Sequence, residues 1–367
     1  MAEKKTIFIA HNWSYHSFSA MSYYLALNLS ELHRVVFFNV KGPRNGYTKI
    51  NDSLEVYDWP HKRPTKLKDF LFFFKLLRKY KPDIVLAHFS SVNICVLGAR
   101  LFNIKNNYCY FHTLVEQNIL DLAGKKPSGF GYKVDIFKKG LVYKLAGNII
   151  AVSQYAKKDI IKYFHVNPDK IRVIYNGIAD TACRNNYTAI KIGFVGRFDY
   201  SKGLDVLINA IGLLLGRGID VTLEIAGSGK QREALEAHIQ SKGWQGAIRF
   251  LGPVPYEEIH NFISSNYLLV VPSRIDNLPS VVIEAFSTQT PVVAANVGGI
   301  PELIEHNKNG LLFKTEEISD LAEKILLLII NRELRDGIAA AGRKHYEMHH
   351  TIERNVQVVK NLLLSEN

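Results

Sequence analysis

Two unbroken apolar runs, residues 267–271 (YLLVV) and 291–295 (PVVAA), flank a short segment that carries helix start signals. A strand that is apolar at every position, instead of every second one, is buried on both faces, as strands are in a parallel sheet covered by helices. Pro272 stops the first run. A loop with Ser273, Arg274, Asp276 and Asn277 then leads to Leu278, Pro279 and Ser280, and a helix is expected from Ser280 to about Thr288. After the second run come Gly298 and Gly299, where the backbone can take a positive φ or approach a ligand closely. Ligands of an open α/β sheet sit beyond the carboxyl ends of its strands, and both loops leave from that edge. The helix start at Ser280 offers unpaired N–H groups and the positive end of a dipole, which favour a phosphate. Glu284, one turn further on, can accept two hydrogen bonds from a vicinal diol such as a ribose. Two acids beside a phosphate repel it unless cations offset them, and Arg197 and Lys202 are the candidates.

Strand and helix signals alternate along the rest of the chain. In the first half, strands are expected at 6–10, 35–40, 83–87, 107–111, 148–152 and 171–174, with helices at 18–32 and 67–80 and a cap at Ser153. His88 and His112 each stand where a strand gives way to a loop. His11 and His16, in the first strand-to-helix loop, are candidates for contact with an acceptor, as is His88. Residues 178–190 lack any apolar period and read as a linker. Beyond it, strands are expected at 192–195, 221–226 and 247–251, with Gly196, Gly227 and Val254 in the loops that leave them. Helices are expected at 204–215, 318–330 and 333–346. A length of 367 residues exceeds what one core usually supports, in line with two doubly wound domains, 1–178 and 191–346.

The charge is lopsided: residues 1–180 carry a net +14 and residues 181–367 a net −2. Such a field favours an acidic membrane surface, a pyrophosphate-bearing acceptor or nucleic acid, although no nucleic-acid motif accompanies it. Within the basic half, residues 67–80 (LKDFLFFFKLLRKY) place five large apolar residues in a row among Lys66, Lys68, Lys75, Arg78, Lys79 and Lys81. This helix can pack on the sheet or lie in a membrane interface, and Phe72, Phe73, Lys75, Arg78 and Lys79 are the candidate membrane contacts. A second basic and aromatic stretch, 124–144, reads as a mobile loop leading into a helix. No run approaches the length of a membrane-spanning helix, and MAEKKTIFIA reads as a polar lead into a strand. The three scattered cysteines, Cys95, Cys109 and Cys183, fit a reducing cytoplasm.

Asp276 and Glu284, with seven residues between them, resemble the E-x7-E signature of retaining glycosyltransferases of family 4, with Asp in place of the first Glu. PSxxDNLPSVVIEA, PVVAANVGGIPELI, NGLLF, IGFVGRFDYSKGLDVLINAI and IAGSGKQREAL are similar to that family's donor-binding half. YFHTL, AVSQYAKKDI and IYNGI are similar to its first half. The resemblance implies the α/β architecture known as GT-B, two doubly wound Rossmann-like domains facing across a cleft, with acceptor in the first and donor in the second. It also implies that the last segment, 351–367, forms a helix that packs back on the first domain. The implied reaction moves a hexose or N-acetylhexosamine from a nucleoside diphosphate sugar, UDP favoured and GDP possible, with retention at the anomeric carbon. His112 would contact the donor sugar, Asp276 its hydroxyls, Glu284 the ribose and the loop at Val254 the base. Arg197, Lys202 and the start at Ser280 would face the diphosphate, with Gly196, Gly227, Asn277, Leu278 and Pro279 completing the donor site. The chain has no Asp-x-Asp, so no metal or other cofactor is implied. A lipid-linked or lipopolysaccharide-type acceptor at the cytoplasmic face of the membrane is expected from the basic half. The competing readings are a polyanion-binding protein without catalysis and an epimerase or hydrolase on the same two-domain plan.

Overall fold

A computed structural model describes residues 3–14, 19–40, 46–121 and 130–365, with side chains described from residue 134 in the last of these segments. The chain forms two compact units: Met1–Val115 with Pro127–Gly177 and Ile352–Asn367, and Glu116–Lys126 with Ile178–Thr351.

In chain order the first unit begins with β1 (Thr6–His11), α1 (Ala20–Ser30), β2 (Arg34–Asn39), β3 (Tyr47–Asn51), β4 (Leu54–Asp58), α2 (Leu67–Tyr80), β5 (Ile84–Ala87), α3 (Val92–Leu101) and β6 (Asn106–Phe111). Next comes α4 (Val115–Asp121), grouped with the second unit from Glu116 onward, and then α5 (Phe130–Leu145), β7 (Asn148–Ala151), α6 (Gln154–Phe164) and β8 (Ile171–Val173). The sheet order is β3-β4-β2-β1-β5-β6-β7-β8, parallel throughout except where β3 meets β4. Its central strands are apolar on both faces and buried, as the sequence predicts. The β3–β4 hairpin is unexpected: every residue of β3 is exposed at the sheet edge, so no apolar pattern marks it. The cap at Ser153 forms, its hydroxyl accepting from the Ala156 N–H at 2.9 Å. The first part of the 124–144 stretch lies outside the described residues.

Helix α2 has the expected limits but a different apolar face. Phe73 is fully buried against Phe8 and Phe38, in space left by Gly98, where an added Cβ would lie 2.7 Å from the Phe73 ring. Phe73 is therefore core and not a surface contact: five consecutive apolar residues wrap around the whole helix, and the side facing the sheet must take one of them. Phe72 is half-buried against Trp59 and Tyr57. The apolar groups left to solvent are Leu67 (73% exposed) and Leu71 (61%), beside exposed Lys75, Arg78 and Lys79.

The second unit continues with β9 (Lys191–Arg197), α7 (Leu204–Gly216), β10 (Thr222–Ser228), α8 (Arg232–Lys242), β11 (Ile248–Gly252), α9 (Tyr256–Ser265) and β12 (Leu268–Val271). It ends with α10 (Ser280–Ser287), β13 (Val292–Ala295), β14 (Leu311–Phe313), α11 (Ile318–Ile330) and α12 (Arg332–His349). Its sheet, ordered β11-β10-β9-β12-β13-β14, is parallel in every pair, and the strand order reverses between β9 and β12. Gly196 and Gly227 are paired within β9 and β10, a correction to their expected place in loops. At Gly227, φ is +136° and a Cβ would lie 1.9 Å from the Gly196 carbonyl oxygen, so β10 runs on beside β9 past its apolar residues only because position 227 has no side chain.

The last helix, α13 (Ile352–Leu364), belongs to the first unit and packs on α1. Lys360 Nζ donates to Asn28 Oδ1 at 2.8 Å, and the Tyr108 hydroxyl donates to the Leu362 carbonyl at 3.3 Å. Residues 181–190 form no regular element, yet Asn185 and Asn186 donate through their backbone N–H groups to the Thr288 and Ser264 carbonyls.

Candidate active site

At the carboxyl edge of the second sheet, the loop after β12 folds around Asp276. Oδ2 of Asp276 accepts from Lys202 Nζ at 2.5 Å and from Ser273 Oγ at 3.0 Å, while Oδ1 accepts from the Asn277 N–H at 3.0 Å. Both partners of the ion pair are largely covered. The Asp276 carbonyl in turn accepts from the Gly299 N–H at 3.0 Å. Gly298 has φ +62° and would place a Cβ 2.0 Å from that same carbonyl oxygen, so only glycine lets the loop after β13 close on Asp276. Gly203, with φ +63°, has the same relation to the Pro272 carbonyl, 2.1 Å from its would-be Cβ. That close approach brings Lys202 beside the loop that carries Asp276.

Arg274 fixes the loop from its other side. Its guanidinium forks onto Asp205 at 2.8 and 2.7 Å, reaches Glu316 at 2.7 Å and lies over the Tyr200 ring at 4.0 Å. Two flanking carboxylates hold it firmly protonated against the opposing effect of its burial. Arg197 is 64% exposed and does not join the Lys202–Asp276 pair; its guanidinium meets Asp199 at 2.7 Å and Asp121 at 3.9 Å. Asp121 also accepts from the Ser201 N–H at 3.0 Å. Sequence reasoning missed Asp121, Asp205 and Glu316, since nothing local to them marks a partner 42 to 80 residues away.

Glu284 sits one turn into α10 and is buried, with Leu278 also buried and Pro279 in extended backbone at the helix start. Desolvation pushes its carboxyl up to about 7, opposed by a hydrogen bond from Ser280. No cation pairs with it among the described residues. Val254 is half-buried between β11 and α9.

A separate cluster occupies the carboxyl edge of the first sheet. His11 ends β1, His88 directly follows β5 and His112 directly follows β6, on three neighbouring strands. His11 Nδ1 lies 2.8 Å from Ser22 Oγ, Ser22 Oγ lies 3.2 Å from His88 Nε2, and His88 Nδ1 lies 3.1 Å from His112 Nε2. Their rings stack: His11 on His88 at 4.2 Å, His88 on Tyr110 at 4.2 Å and Phe89 on His112 at 4.2 Å. Ser91 Oγ donates to the Ala10 and His88 carbonyls and ties β1 to the turn after β5. Burial lowers His11 to about 3 and holds His88 and His112 well below the usual imidazole range, so all three are neutral at pH 7. His16 lies outside the described residues. Among the described residues, no group of three or more His, Cys, Asp or Glu side chains could hold a metal ion.

Comparison with known proteins covers both units. The family model described as Glycosyltransferase Family 4 matches residues 19–181, and the model described as Glycosyl transferases group 1 matches residues 183–345. An uncharacterised glycosyltransferase of Methanocaldococcus jannaschii is 31% identical over 262 residues, 71% of this chain and 70% of that protein. Other curated relatives that the chain matches are spanned over between 38% and 54% of their length. Among solved structures, sucrose-phosphate synthase from Thermosynechococcus elongatus superposes with a TM-score of 0.80 at 17% identity, covering 98% of each chain. The Anabaena protein HepE, in complex with UDP and glucose, superposes with a TM-score of 0.77 at 18% identity, covering 99% of this chain and 100% of that one. At such identities the likeness speaks to the fold.

Proposed function

We infer, from the premise that the chain belongs to the glycosyltransferase family whose family 4 and group 1 models match its two halves, that it moves a hexose or N-acetylhexosamine from a nucleoside diphosphate sugar to a glycan hydroxyl with retention at the anomeric carbon. The observation that carries this reading is the arrangement at the strand ends of the second sheet: Lys202 paired with Asp276, and Glu284 buried one turn into α10 with no cationic partner among the described residues. A carboxylate that lacks a cationic partner inside the protein gains most from a ligand that donates two hydrogen bonds, and a ribose diol does so. UDP is the favoured nucleotide, as it is the one bound by the Anabaena structure.

In the proposed reaction the acceptor oxygen bonds to the anomeric carbon as the bond from that carbon to the diphosphate oxygen breaks. Both oxygens lie on the same face, and the acceptor proton passes to the departing phosphate. Negative charge grows on the diphosphate, so Lys202, Arg197 and the N–H groups that open α10 act most strongly as the transition state forms. Asp276, held by Lys202, Ser273 and the Asn277 N–H, presents a fixed carboxylate to the sugar hydroxyls. His112 contacts the same sugar in this reading. The acceptor is a lipid-linked or lipopolysaccharide-type glycan, reached through contact of α2 with an anionic membrane at its cytoplasmic face; exposed Leu67 and Leu71 among Lys75, Arg78 and Lys79 support that contact.

The test is a thermal-shift panel of UDP, GDP, ADP and their sugars, each with and without EDTA. A ligand at 100 times its Kd stabilises the folded state by about 2.7 kcal/mol. One nucleotide class is expected to raise the midpoint by roughly 5–10 °C, unchanged by EDTA. A panel with no shift from any nucleotide overturns the donor site.

A further inference from the structure

We propose that Ser22 and His88 are positioning residues that set the tautomer of His112 through the hydrogen-bonded chain Ser22–His88–His112, an inference that rests on the reading of His112 as a donor-sugar contact. His88 uses both ring nitrogens, Nε2 toward Ser22 and Nδ1 toward His112. A neutral imidazole carries one N–H, so His88 donates on one side and accepts on the other.

Three proton arrangements satisfy every link, because the Ser22 hydroxyl has two lone pairs besides its proton. In the first, His88 donates from Nδ1 to His112 Nε2, which places the proton of His112 on Nδ1. His88 Nε2 then accepts the Ser22 hydroxyl proton, and Ser22 Oγ accepts from His11 Nδ1. In the second, every donor is reversed: His112 donates from Nε2 to His88 Nδ1, His88 donates from Nε2 to Ser22, and the Ser22 hydroxyl donates to His11 Nδ1. In the third, His11 Nδ1 and His88 Nε2 both donate to Ser22 Oγ, and His112 again donates from Nε2 to His88 Nδ1. At the His88–His112 link a mismatch leaves two N–H groups or two lone pairs facing each other inside the protein, so these two rings switch together. The tautomer of His112 thus follows that of His88, whose Nε2 faces Ser22 in α1. Stacking of the rings on Tyr110 and Phe89 and the Ser91 bonds hold the geometry in place. A histidine at the carboxyl end of each of three neighbouring strands, the last residue of β1 and the residue directly after β5 and β6, with a serine on α1 within reach of two of them, supplies such a chain, and neither a lone sugar-contacting histidine nor plain core packing calls for the other three groups.

Long-range proton–nitrogen spectra of the full chain, with its histidines labelled with nitrogen-15, read the tautomer of each ring without any ligand. The wild type is expected to show one tautomer at His112. Ser22→Ala, which cuts the chain two links away, is expected to give a mixture of both, and His88→Ala likewise. His88→Asn, whose amide can stand in for Nδ1 but does not reach Ser22, keeps the bond to His112 without the coupling to Ser22 and also gives a mixture. With UDP-glucose as the probe of turnover, Ser22→Ala is expected to lower kcat about 10-fold with KM changed less than about two-fold, and His88→Ala to lower kcat up to about 100-fold with part of the loss recovered in His88→Asn. A single unchanged tautomer at His112 in both Ser22→Ala and His88→Ala overturns the proposal whatever the kinetics. Full activity in His112→Ala would instead remove the sugar-contact reading, and the spectra would still decide whether the chain sets the tautomer.

Discussion

Glu284 stores a pH dependence that a paired carboxylate would not. Its folded pKa of about 7 stands above the unfolded value of roughly 4.3. Between those values the folded chain binds a proton that the unfolded chain has released, so this residue's contribution falls as pH rises through the window and is fully lost above pH 7. Glu284→Gln is expected to be more stable than the wild type at pH 8, by up to about 3 kcal/mol, with the difference vanishing near pH 4 in denaturant titrations. Donor binding carries the opposite sign. The ribose hydroxyls donate to the ionised carboxylate, so affinity for UDP-glucose should climb as pH rises toward 7 and then level off. In calorimetry, Glu284→Gln should bind it about 10- to 100-fold more weakly, and unchanged affinity would sink the ribose role. Asp276 and Glu284 were legible in the sequence because the whole signal fits on one loop and one helical turn. Arg274 was legible only as a loop residue, because Asp205 and Glu316, which define what it does, are brought to it by the fold.

At the scale of elements, burial on both faces made the central strands readable, and the errors fall where that signal fails. Exposed β3 carries no pattern, and the glycines that let β9 and β10 run on look like loop residues. In α2 an apolar run wrapped around the helix concealed that Phe73 faces inward while Leu67 and Leu71 do not. Glycines separate into those that a side chain would wreck and those that it would help. Gly298→Ala is expected to cost at least about 2 kcal/mol, since the positive φ and the Asp276 carbonyl both oppose a Cβ. Gly337→Ala, in the middle of α12 with nothing within 4 Å, should raise stability by about 1 kcal/mol. Chemical denaturation of the two variants checks both signs at once.

For the whole molecule, charge is the property that the sequence displays most openly: the basic residues crowd into the first half, and α2 sets exposed leucines among them. No helix of the described residues is long and apolar enough to cross a membrane, and the lipid contact proposed for α2 is one made from the surface of the bilayer. Vesicles containing anionic lipid are expected to retain the chain at low salt and release it as salt rises, with neutral vesicles retaining little. Replacing Leu67 and Leu71 together by Ser should weaken that retention at least 10-fold, because each leucine contributes on the order of 1.5 kcal/mol when buried. Equal retention by the double variant would refute insertion by α2.

The return of α13 to the first unit also sets an order of events on the ribosome. The partner that covers α1 is made only after every strand and helix of the second unit has been synthesised. The unit whose synthesis starts first is thus completed second, and a nascent chain carries its unfinished face until α13 emerges.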